Sequence, residues 1–88
     1  MKEKCFEILK ENLLLQATSR SNTFDHLVEL SIDLYCELSN IDKEQFRNKI
    51  KDIKIIAWDN YNGDIKKFMN HQSFYEDLIN GLKEKGHA

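Results

Sequence analysis

The stretch "IKIIAW", Ile53–Trp58, decides the fold. Its β-branched content reads as a short strand, and a strand here would end an all-helical reading. Two features argue for helix instead. Lys54 interrupts the apolar run, and "IDKEQF", Ile41–Phe46, carries the strongest helix-start signal in the chain. Asp42 stands at the N-cap, where its carboxylate can accept a free first-turn N–H, and Gln45 three residues on makes a capping-box variant. Ile41 before the cap can pack on Phe46, four residues inside. Phe46, Ile50, Ile53, Ala57 and Tyr61 then mark one helical face, flanked by Ile56 and Trp58.

The same periodicity extends outward in both directions. Phe6, Leu9, Leu13 and Ala17 recur at helical spacing from about Lys2 to Ala17, with Cys5, Ile8 and Leu14 widening the stripe. "TSRSNT" breaks this helix with small polar residues. A second helix, from about Phe24 to Ser39, shows Phe24, Leu27, Val28, Leu34, Tyr35 and Leu38, with Asn22 or Thr23 as its cap. After "NYNGD" a short helix is expected over Ile65–Asn70, bringing in Phe68 and Met69. "SFYE" opens the last one, with Ser73 as cap and Glu76 as its capping-box partner. Phe74, Leu78, Ile79 and Leu82 give its inner side, and Gly86 fits the position just past its end. The reading is a single all-α domain over residues 1–88, a bundle of four main helices with a short fifth. Its expected core includes Phe6, Leu9, Leu13, Leu27, Leu34, Phe46, Ile50, Ile53 and Phe74.

Composition supports a folded domain. The chain has 88 residues, 41% hydrophobic and 32% charged, which allows one small core and is too apolar for a disordered segment. The absence of proline lets long helices run unbroken. No apolar run approaches the ~20 residues of a membrane span. Acids inside "MKEKCFEILKENLLLQ" disfavour a signal peptide, so a cytoplasmic location is expected. Cys5 and Cys36 lie in no metal-type spacing and are expected to be reduced and buried.

"IIAWDNYNGDIKKF", Ile55–Phe68, collects the only tryptophan, two asparagines and two aspartates around Gly63, as a calcium loop would. With Gly63 at the sixth position, the first and twelfth positions fall on Trp58 and Met69, which offer no carboxylate. "NYNGD" therefore reads as a corner between helices: Gly63 takes a left-handed conformation and Asp64 caps the next helix. Trp58 and Tyr61 are core residues or aromatic anchors of an interface. No zinc spacing, phosphate loop or nucleophile elbow occurs, and no cofactor, metal or catalytic role is expected.

The charge pattern carries the functional expectation. Residues 1–42 hold four basic and eight acidic side chains, residues 43–67 seven basic and four acidic, and residues 68–88 two basic and three acidic. Asp25, Glu29, Asp33 and Glu37 are each four apart, forming one column of carboxylates on a helix, with no Lys or Arg between Ser21 and Asp42. Glu3, Glu7 and Glu11 form a shorter column on the first helix. Like charges four apart cost a few tenths of a kcal/mol per pair. The column is a solvated face, or it pairs with Arg47, Lys49, Lys51 and Lys54 of the third helix, or it is a surface that meets a basic partner.

The leading expectation is a small non-catalytic inhibitor that neutralises a basic, nucleic-acid-handling protein such as a nuclease toxin. It would use Asp25, Glu29, Asp33 and Glu37, with Trp58 and Tyr61 as aromatic anchors. Small acidic inhibitors of this kind include bacterial immunity proteins, antitoxins and phage-encoded blockers; the likeness is one of size and charge alone. The alternatives are a self-associating helical module, with a homodimer allowed, and a nucleic-acid binder using Lys43, Arg47, Lys51 and Lys54. The acidic total disfavours direct nucleic-acid binding. Reversal of Asp33 and Glu37 to lysine is expected to leave the fold intact, because it relieves repulsion along the column.

Overall fold

A computed structural model describes residues 1–19 and 22–86, with the side chains of residues 65 and 84–86 outside the description. Five helices and no strand occur among the described residues: α1 (Lys2–Thr18), α2 (Thr23–Ser39), α3 (Lys43–Asn60), α4 (Ile65–Asn70) and α5 (Ser73–Gly86). "IKIIAW" lies wholly inside α3. Arg20 and Ser21 of the polar break are outside the described residues. The Cα radius of gyration, 12.6 Å, is close to the ~12 Å of a compact chain of this length.

The local signals explain most of the boundaries. The Asp42 carboxylate accepts the Gln45 N–H at 3.2 Å, as the capping box requires. α2 ends on Asn40 in the left-handed conformation, and the Ile41 N–H returns to the Cys36 carbonyl at 2.9 Å. This is the six-residue bond of a Schellman closure, made by asparagine in place of glycine. At "NYNGD", Asn62 and Gly63 are both left-handed, and Asp64 Oδ1 accepts the N–H groups of Lys66 and Lys67. Two caps differ from expectation. Asn22 precedes α2 without a side-chain cap bond. Ser73 already belongs to α5, because the Glu76 N–H bonds to the Gln72 carbonyl, and the helix runs through Gly86.

α1 and α2 pack as an antiparallel pair, and α3 and α5 close over their inner side. Tyr35 sits at the centre, its ring 5.2 Å from that of Phe6 and 5.4 Å from that of Phe46, so one aromatic row ties α1, α2 and α3. Tyr61, Phe68 and Tyr75 form a second row that ties the end of α3 to α4 and α5. Both free cysteines are buried.

The expected core holds for Phe6, Leu9, Leu13, Phe46, Ile50 and Ile53, while Phe74 is only half-buried. It fails for Leu27 and Leu34, which are exposed. α2 has apolar side chains around more than half its circumference, and a small domain covers only one arc. The covered arc is Val28, Ile32, Tyr35 and Cys36. Leu27, Leu30, Leu34 and Leu38 are left outside, as is Ile8 of α1.

Candidate functional site

The carboxylate column of α2 is divided by its neighbours. Asp25 Oδ1 accepts from Gln16 Nε2 at 2.7 Å, and Gln16 Oε1 accepts from Lys54 Nζ at 2.8 Å. Burial holds the Lys54 pKa below the ordinary lysine range, with Asp25 and Glu29 pulling it back up. Glu29 Oε2 takes Arg47 Nη2 at 2.6 Å, and Asp33 Oδ1 lies 3.4 Å from both Arg47 Nη2 and Lys43 Nζ. These are solvent-facing pairs, each worth roughly 0–1 kcal/mol. Glu37 alone is exposed with no polar partner among the described residues. Three of the four carboxylates thus fasten α2 to α1 and α3.

The same contacts engage the basic side of α3. Lys43 and Arg47 meet the α2 acids and Lys54 meets Gln16, leaving Lys51 of that set exposed without a partner among the described residues.

The aromatic pair is also separated. Tyr61 is buried, and its hydroxyl donates to the His71 carbonyl, bracing the α3–α4 corner. Trp58 is exposed and lies over Gly63, where a Cβ would stand 3.3 Å from the indole. Its ring also joins the wall of a cavity between α1, α2, α3, α4 and α5.

What the helical periodicity did not single out is an apolar face on the outside of the α1/α2 pair. Asn12 Nδ2 donates to Ser31 Oγ at 3.0 Å. Around that bond, by helical spacing, stand Ile8 and Leu15 on α1 and Leu27 and Leu34 on α2, with Leu30 and Leu38 beside them. Each of the six keeps between 38% and 53% of its surface in solvent. The rim is acidic. Glu11 sits three residues past Ile8 and four before Leu15, and Glu37 sits three past Leu34. Asp33 borders Leu30 but is paired with Lys43 and Arg47, and Lys4 and His26 are further basic groups at the edges. The signal was present as the 3-4-4 spacing of Leu27, Leu30, Leu34 and Leu38, but it merged with the inner stripe.

Among the described residues no cluster of histidine, cysteine or carboxylate side chains could hold a metal, and no helix is long and apolar enough to cross a membrane. No protein-family model, curated protein or solved structure matches the chain.

Proposed function

We propose that this chain is a non-catalytic inhibitor that masks a basic, nucleic-acid-handling partner, and that it grips this partner through the outer face of α1 and α2. The observation that carries the reading is the exposed row of six aliphatic side chains bordered by Glu11 and Glu37, exposed acids with no polar partner among the described residues. Full burial of such a side chain contributes ~1.5–3 kcal/mol, so covering the exposed part contributes roughly 1 kcal/mol each and about 6 for the six. Association itself costs ~4–15 kcal/mol. The apolar face alone therefore does not sustain a tight complex, and the rim selects what binds. A partner with lysines or arginines around an apolar centre turns the acidic rim into attraction and a faster encounter.

A second copy of the chain could use the same apolar face. It would bring acidic rim against acidic rim, which disfavours self-association. Compared with the carboxylate column taken alone, this reading moves the interface centre to the leucines and keeps Glu37 as its free charge.

A photo-crosslinking residue at Leu30 tests the proposal in cells. The expected product is one basic partner, captured less when Glu37→Lys or Leu34→Asp is added and the helical spectrum is unchanged. Capture of a second copy of this chain, or capture indifferent to both substitutions, would overturn it.

A further inference from the structure

Side chains from three helices form one hydrogen-bonded bridge at the polar end of the cavity beside Trp58. Lys54 Nζ of α3 donates to Gln16 Oε1 of α1 at 2.8 Å, and Gln16 Nε2 donates to Asp25 Oδ1 of α2 at 2.7 Å. The cavity has a volume of about 440 Å³, within the ~300–1,000 Å³ of small-molecule sites. Ala17, Ile55 and Trp58 stand in its apolar wall. Gln16, Asp25, Lys54, Ala17, Ile55 and Trp58 all keep surface in solvent and are open to a molecule that enters.

The bridge fixes the polarity of what can lie along it. Gln16 turns its acceptor to the ammonium and its donor to the carboxylate; the reversed amide would set N–H against ammonium and oxygen against carboxylate. A second group beside Gln16 meets the same demand, an acceptor towards Lys54 and a donor towards Asp25. Both charges have capacity left. An ammonium has three donors, and among the described residues Lys54 gives one of them, to Gln16. Burial costs its charge more than Asp25 and Glu29 return, since its pKa stays lowered, so a carboxylate beside it is favoured. Asp25 offers two acceptor oxygens from an exposed position. A lone anion would be opposed by Asp25, and a lone cation by Lys54.

We infer that the cavity binds a zwitterion, an α-amino acid with an apolar side chain, its carboxylate on Lys54, its ammonium on Asp25 and its side chain along Ile55 and Trp58. None of the six aliphatic side chains of the outer α1/α2 face lines this cavity, so neither reading depends on the other.

Trp58, the only tryptophan, reports on the site through its indole N–H signal in nuclear magnetic resonance. Four probes separate the requirements: L-phenylalanine, phenylpropionate without the ammonium, phenylethylamine without the carboxylate, and glycine without the ring. L-phenylalanine is expected to bind tightest and to move the Trp58 signal. Lys54→Met should weaken phenylalanine and phenylpropionate about three- to tenfold and leave phenylethylamine no weaker. Asp25→Asn should weaken phenylalanine and phenylethylamine by about the same factor and leave phenylpropionate no weaker. Asp25 is exposed, so its variant decides the matter should Lys54→Met not fold. Binding of phenylpropionate, phenylethylamine or glycine as tight as that of phenylalanine would overturn the inference. So would unchanged phenylalanine affinity in either folded variant, or the failure of every probe to move the Trp58 signal.

Discussion

Asn12 of α1 and Ser31 of α2 are joined side chain to side chain at 3.0 Å, and the Ser31 hydroxyl in turn donates a hydrogen bond to the Leu27 carbonyl at 2.7 Å. This pair fixes how the exposed leucines of α2 stand beside Ile8 and Leu15 of α1. A double-mutant cycle on Asn12→Ala and Ser31→Ala should give a coupling of about 0.5–1.5 kcal/mol in urea unfolding. Zero coupling would mean that apolar packing alone sets the register of α1 against α2.

Charge reversal should separate two neighbours in the acidic column. Asp33→Lys loses the contacts to Lys43 and Arg47 and adds a like charge, so stability should fall by up to about 1 kcal/mol per pair lost. The relief of repulsion anticipated from sequence is thereby reversed at this position. Glu37→Lys, at a carboxylate with no polar partner among the described residues, should leave the denaturation midpoint unchanged. Equal midpoint shifts for the two variants would refute this division of the column.

Trp58 and Tyr61 should behave as different kinds of residue. Tyr61→Ala removes a buried ring and its hydroxyl bond to the α3–α4 corner, and should cost about 3–5 kcal/mol. Trp58→Ala should cost much less, since the indole is exposed. Thermal melts of the two variants check this, and a larger loss for Trp58→Ala would contradict it.

Stability should fall in alkali. Burial raises the pKa of Cys36, Tyr35 and Tyr75 in the folded chain. Below the ordinary thiol value of ~8.5 both states keep these protons. Above it, and above ~10 for the phenols, the unfolded chain releases protons that the folded chain holds, so unfolding gains. Lys54 opposes this, because its lowered pKa lets the folded state shed a proton first. Cys36 should lower the urea midpoint first, from about pH 8.5, and the two tyrosines should lower it further above about pH 10, so Cys36→Ala should soften the early part of the fall. A midpoint that rises with pH would contradict the assignment.

The helices were legible because their signals are local. Asp42 and Gln45, Gly63, and Asp64 act within a few residues of themselves, and periodicity carried α3 through the β-branched "IKIIAW". The buried arc of α2 was not legible, because Leu27 and Leu34 match helical spacing as well as Val28 and Ile32 do. Only packing against α1 and α3 chooses between the two arcs. Pairing of the acidic column with the third helix was one of the readings open in the sequence, but that Arg47 and Lys43 are the partners of Glu29 and Asp33 depends on how α2 and α3 lie side by side. The bridge of Gln16 between Lys54 and Asp25 joins three helices and leaves no mark in the sequence.

The proposal that an apolar face with an acidic rim selects a basic partner is tested most directly with two helical peptides. Both carry leucines at helical spacing along one side, one flanked by lysines and the other by glutamates, and the leucine methyl signals of α2 are followed during titration. The lysine-flanked peptide should move Leu27, Leu30, Leu34 and Leu38, and should bind more weakly as salt shortens the screening length from ~10 Å at 0.1 M to ~3 Å at 1 M. It should lose its effect in Leu34→Asp, and the glutamate-flanked peptide should leave these methyls unmoved. Equal binding of the two peptides, or no movement of the α2 methyls with either, would contradict the account.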